Sequence, residues 1–168
     1  MHVLRLCIAW MTLCTASGRC AGQFPMIEGE NLLGKKIELP QAGEGHPSVI
    51  IIGFTHASQS QTKPWSARLY PGVTTYSLAV LQDVPRLVRG MAVGGIKSGV
   101  PQEQRERFLL VFRGEKELKE AAGFDSPNDA YLILLDADGT IRWRFHGALN
   151  DASLAELKSH LADLQKKP

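Results

Sequence analysis

The sequence predicts an α/β domain with a central mixed β-sheet flanked by helices, closed by a C-terminal β-hairpin and helix. Three observations carry this. Ser48–Phe54 is a continuous apolar run rich in isoleucine, as expected of a strand buried on both faces. Apolar strand-like segments then alternate with segments of helical pattern, which builds parallel strands joined by crossover helices. Finally, Ala130–Leu135 and Thr140–His146 flank the turn Asp136-Ala-Asp-Gly139 and read as an antiparallel hairpin.

In chain order, residues 1–22 read as a leader. Arg5 precedes a mostly apolar, acid-free run from Leu6 to Ala16, and small residues follow. This is the order of a secretory signal peptide, and an organelle presequence is the alternative. The run is too short to span a bilayer, which takes ~20 apolar residues. The expected location is extracytoplasmic (bacterial periplasm or secreted), with the mitochondrion as the alternative. Cys7, Cys14 and Cys20 all lie in this leader, so residues 23–168, read as one domain, contain no thiol.

Within that domain Lys36–Leu39 is a short strand after Gly34, and Gln41–His46 is a glycine-containing loop. After the Ser48–Phe54 strand, Thr55–Thr62 is a polar loop. Pro64 suits the first turn of a helix running to about Leu69. Val73–Leu81 is the next strand. Asp83 is placed to cap a helix with Pro85 in its first turn, Leu87, Val88 and Met91 as its inward face, and Gly94-Gly95 as its end. Glu115–Ala122 is a short helix after the Phe108–Phe112 segment. On the hairpin's return strand, alternation puts Ile141, Trp143 and Phe145 on one face and Arg142, Arg144 and His146 on the other. A Ser153–Glu156 capping box opens the last helix, with Leu154, Leu157, Leu161 and Leu164 as its stripe.

Charge and motif spacing remove several function classes. The leader holds two of the 19 cations and none of the 17 acids, leaving the domain balanced, which speaks against nucleic acid as partner. Gly90 to Ser98 imitates a phosphate loop, but its lysine does not follow the glycine directly, and the segment follows a helix. His46, His56, His146 and His160 have no paired-ligand spacing on one helix, so neither metal nor other cofactor is expected. Ser58, Ser60 and His56 lack a nearby acid, and no Gly-x-Ser-x-Gly elbow is present.

The layout of βαβ unit, hairpin and terminal helix resembles the thioredoxin-like superfamily, and the extra N-terminal strand resembles its redoxin branch. Gly53-Phe-Thr-His56 is similar to the start of the Sco copper-site motif, but Ala57 and Gln61 stand at its cysteine positions and Asn128 near its distal histidine. In a thioredoxin alignment the active-site positions are Gln59 and Thr62, and the cis-proline position is Ala130. A wider resemblance, over about Phe24 to Leu164, is to the thioredoxin-like assembly factors of the mitochondrial ATP synthase, which escort its membrane-embedded a subunit. It rests on Phe24-Pro25, Leu39-Pro40, Phe54 with Trp65, Val100-Pro101-x-Glu103, Asn128 with Tyr131-Leu132, and Ile141-Arg142-Trp143. The resemblance implies a non-catalytic, protein-binding assembly chaperone whose partner is a membrane-complex subunit. A thiol or peroxide redoxin, and a Sco-like metallochaperone with altered ligands, are the alternatives.

The binding surface is expected at the loop after the first buried strand, where α/β folds place ligand sites. His56, Ser58, Gln59 and Gln61 would supply donors and acceptors there. Trp65, one turn into the helix, either packs inward or borders that surface as an aromatic anchor. The Arg142, Arg144 and His146 face is next in line.

Overall fold

The computed structural model describes residues 22–43 and 45–166; residues 1–21 of the expected leader, with all three cysteines, lie outside the described residues. Seven strands form one mixed sheet. They are β1 (Ile27–Asn31), β2 (Lys36–Leu39), β3 (Ser48–Gly53), β4 (Thr75–Val80), β5 (Phe108–Val111), β6 (Ala130–Leu135) and β7 (Ile141–His146). Their order across the sheet is β2-β1-β5-β4-β3-β6-β7. Strands β3, β4 and β5 are parallel neighbours, while β6, β7, β1 and β2 add antiparallel on the two sides. The helices are α1 (Gln59–Leu69), α2 (Arg86–Gly99), α3 (Glu115–Ala122) and α4 (Asp151–Gln165).

Strand β3 is central because it can be apolar on both faces. Ile50 and Ile52 join one core cluster with Tyr131, Ile133 and Leu118 of α3. Val49 and Ile51 join a second with Trp65 and Leu69 of α1 and Leu154 and Leu157 of α4. A third, smaller cluster of Leu32, Leu81, Val100 and Leu110 lies at the β5 side and receives Val93 and Ile96 of α2.

Several sequence expectations need correction. Strand β1 was not anticipated, because Ile27-Glu-Gly-Glu-Asn31 offers a single large apolar residue; its alternation is nevertheless buried–exposed throughout. Gly29 serves close approach, since a Cβ there would lie 2.9 Å from Leu109 Cβ. Helix α1 starts at Gln59, five residues before Pro64, so the proline sits inside the helix and the second half of the expected Thr55–Thr62 loop is helical. Helix α4 is capped by Asn150, whose side chain accepts from the Ser153 N–H, rather than by Ser153 itself. On β7 the register shifts so that Trp143 pairs with Leu134 and Ile141 with Leu135. That bulge reverses the alternation, and Ile141 joins the first cluster while Trp143 joins the second.

The largest departure is α2. It is capped by Pro85 without a side-chain hydrogen bond from Asp83, and it runs through Gly94-Gly95 to Gly99. It has no buried residue. Leu87, Val88 and Met91, expected inside, are 99%, 45% and 81% exposed. The periodicity was correctly helical, but the inward face is that of Val93 and Ile96.

Candidate functional site

The segment from Thr55 to Trp65 lies where the fold brings the ends of β3, β6 and β7 together. Thr55 Oγ1 donates to the Pro127 carbonyl and Asn128 Oδ1, each at 3.1 Å, so the Gly-Phe-Thr-His segment does meet Asn128. Gln61 faces the start of β6: its Nε2 donates to Asp129 Oδ1 at 3.0 Å, and its Oε1 accepts the Ala130 N–H at 3.1 Å. Asp129 in turn holds His146 Nδ1 at 2.9 Å through its other oxygen. Hydrogen bonds from His146 and then Gln61 hold the Asp129 carboxyl below its ordinary pKa.

One turn along α1, Trp65 is fully buried, edge-on to Phe145, and its Nε1 donates to the Gly147 carbonyl at 3.0 Å. The Gly147 N–H returns to the Ala130 carbonyl at 2.9 Å. Gln61, Ala130, Gly147 and Trp65 therefore form a polar latch tying α1 to the sheet, built around the positions that carry redox chemistry in the resembled families. A proline at position 130 would have no N–H for Gln61.

The expected surface is thus divided. Ser58 is fully buried, and its Oγ donates to the Thr55 carbonyl at 2.7 Å. A Cβ on Gly53 would lie 2.7 Å from that oxygen, so the glycine makes room for it. Ser58 and Gln61, expected to offer donors and acceptors to a partner, are committed to internal contacts, and of the two readings of Trp65 the structure has the inward one. His56 is exposed and Gln59 half-buried, and both face a cleft. The fallback face is also engaged: Arg142 pairs with Asp136, Arg144 Nε donates to the Ala121 carbonyl, and His146 meets Asp129.

The cleft was not legible in the sequence. It lies between α1 and α2 over β3 and β4 and has a volume of about 820 Å³. Small residues make its floor: Gly53, Ala79 and the Ser66–Ser77 hydroxyl pair at 3.0 Å. Val88, Met91 and Ile96 of α2 line its far wall, while His56, Gln59 and Lys63 stand on the α1 side. The cleft stays open because α2 packs only toward β5, and Cβ atoms added at Gly90, Gly94 or Gly95 would meet nothing within 4 Å. An apolar groove with a few polar groups can take up an apolar segment of another molecule. Among the described residues, no three His, Cys, Asp or Glu side chains converge as a metal site would require.

Sheet order, hairpin and sulfur-free latch define a thioredoxin-like domain of the redoxin type, without a cysteine at any redox position of its α1 segment. Solved structures agree on the fold. The thioredoxin Etrx1 lipoprotein of Streptococcus pneumoniae superposes with a TM-score of 0.56 at 15% identity, covering 80% of this chain and 99% of its own. A putative electron transport protein of Aquifex aeolicus gives 0.60 at 13% identity, with 88% and 99% covered. BsSco, of the Sco family of cytochrome c oxidase assembly proteins, gives 0.55 at 12% identity, with 83% and 94% covered. No curated protein matches the chain. The chain belongs to the ATP10 protein family, whose profile it matches over residues 19–164. Family membership supports an assembly-factor role with a protein partner in the broad sense. It also speaks for a non-enzyme, although structural relatives include thiol–disulfide oxidoreductases.

Proposed function

We propose that this protein is a non-redox assembly chaperone that acts outside the cytoplasm and holds an apolar segment of a membrane-complex subunit in the α1–α2 cleft. The observation carrying this reading is the open apolar cleft beside a sulfur-free redox position. His56 and Gln59 at the rim supply the polar contacts that fix a client's orientation. The latch holds α1, one wall of the cleft, in place. The extracytoplasmic placement rests on the leader and is checked by fractionation of the native cell.

The test is site-specific photocrosslinking in the native membrane fraction. A photoreactive residue at His56, Gln59 or Ala92 should trap the client, whereas one at exposed Lys158 on α4 should not. Equal trapping from Lys158, or none from the three cleft positions, would overturn the reading.

A further inference from the structure

An apolar helix face is normally covered, yet α2 carries apolar side chains on more than one side and is covered by protein on one side alone. Val93 and Ile96 face the domain. Leu87 points away from it, while Val88 and the largely exposed Met91 border the cleft. Three of the five large apolar side chains most exposed among the described residues lie on this one helix. The helix itself carries cations and no acid, with Asp83 and Glu103 standing just beyond its ends. Residues 84–102 include Arg86, Arg89 and Lys97 and no acid. Arg105 adds a fourth cation against the end of α2, donating to the carbonyls of Lys97 and Val100 at 2.9 and 3.2 Å. Arg89 is turned inward over Phe112, which leaves Arg86 and Lys97 exposed beside the apolar ridge.

We propose that α2 docks the domain on an anionic lipid bilayer, lying in the interface plane with Leu87 and Met91 inserted and Arg86 and Lys97 at the headgroups. The apolar ridge flanked by cations matches the requirements of an interfacial helix, and the charge selects an anionic surface over a neutral one. The Gly90 and Gly94 positions on the ridge let the helix backbone approach the bilayer closely. Because Val88 and Met91 also line the cleft, docking would place the cleft mouth at the bilayer surface. The inference stands independently of what the cleft binds.

The experiment uses the full chain carrying Leu87→Trp, an exposed position where the probe leaves the core untouched. Vesicles of phosphatidylcholine alone, or mixed with phosphatidylglycerol, carry brominated acyl chains that quench inserted indole. Subtracting the parent chain removes the signals of Trp10, Trp65 and Trp143. The added Trp should be quenched by the mixed vesicles and far less by the neutral ones. Arg86→Glu and Lys97→Glu should each weaken the partitioning by about fivefold or more, from roughly 1 kcal/mol per cation. Equal quenching by neutral vesicles overturns the proposal. So does an unquenched probe, whether the chain stays in solution or reaches the vesicles through its leader alone.

Discussion

Replacing Trp65 separates the structural part of the expected surface from the part left for a partner. The side chain is fully buried among α1, α4 and the sheet, packs against Phe145, and donates one hydrogen bond to Gly147. Trp65→Ala should therefore cost about 3–5 kcal/mol through lost transfer energy and an unfilled cavity. Trp65→Phe keeps most of the volume and loses the indole N–H, so it should cost about 1–2 kcal/mol for the unpartnered Gly147 carbonyl and the imperfect fit. With a urea m-value of about 2 kcal/mol/M, the two variants should move the midpoint down by roughly 2 M and 0.5–1 M. Urea unfolding followed by far-UV circular dichroism reads both, with unchanged slopes as the check that only stability moved. Trp65→Phe should keep full client capture per folded molecule. A loss below about 1 kcal/mol in Trp65→Ala would refute burial, and lost capture by a fully folded Trp65→Phe would return the residue to the binding surface.

Other outcomes follow from the same geometry. Gln61→Ala removes one bond to a carboxylate and one to a backbone N–H, and should cost about 1–3 kcal/mol in the same unfolding assay. Because the Asp129 pKa is lowered in the folded state, its contribution is present above the ordinary carboxylate value and lost as pH falls through the lowered one; acid unfolding of Asp129→Asn should show less of this loss. Gly53→Ala forces Ser58 from its bond to Thr55 and should lower the melting temperature, whereas Gly90→Ala, at an open helix position, should hold or raise it. Replacing Cys7, Cys14 and Cys20 by serine should leave client capture unchanged; its loss in an otherwise correctly targeted chain would revive a thiol mechanism.

The latch shows how the first helix of a thioredoxin-like scaffold is anchored without cysteine at these positions. In the resembled families a position in the α1 segment and the position at the head of β6 hold cysteine and proline, and here they are Gln61 and Ala130. The two departures fit each other, since Gln61 accepts the N–H that a proline would lack. Position 61 thereby serves to anchor α1.

By itself the sequence determined the strand and helix order of the domain's main body, because those signals are local. Continuous β-branched apolarity marked β3, turn chemistry marked the β6–β7 hairpin, and α3 was bounded as read, between Gly114 and Gly123 in left-handed conformation. The absence of cysteine beyond Cys20 and the family likeness were legible for the same reason. What the tertiary structure decided were matters of facing and distance. Periodicity showed that α2 is helical but could not say which side meets the sheet, since apolar residues occur on more than one side. Polarity suggested that Ser58 and Gln61 were on offer to a partner, whereas the chain satisfies them itself across 3 to 69 residues of sequence. The cleft exists only because small floor residues on β3 and β4 meet a helix held aside by contacts toward β5, a coincidence of separate segments that no local pattern encodes.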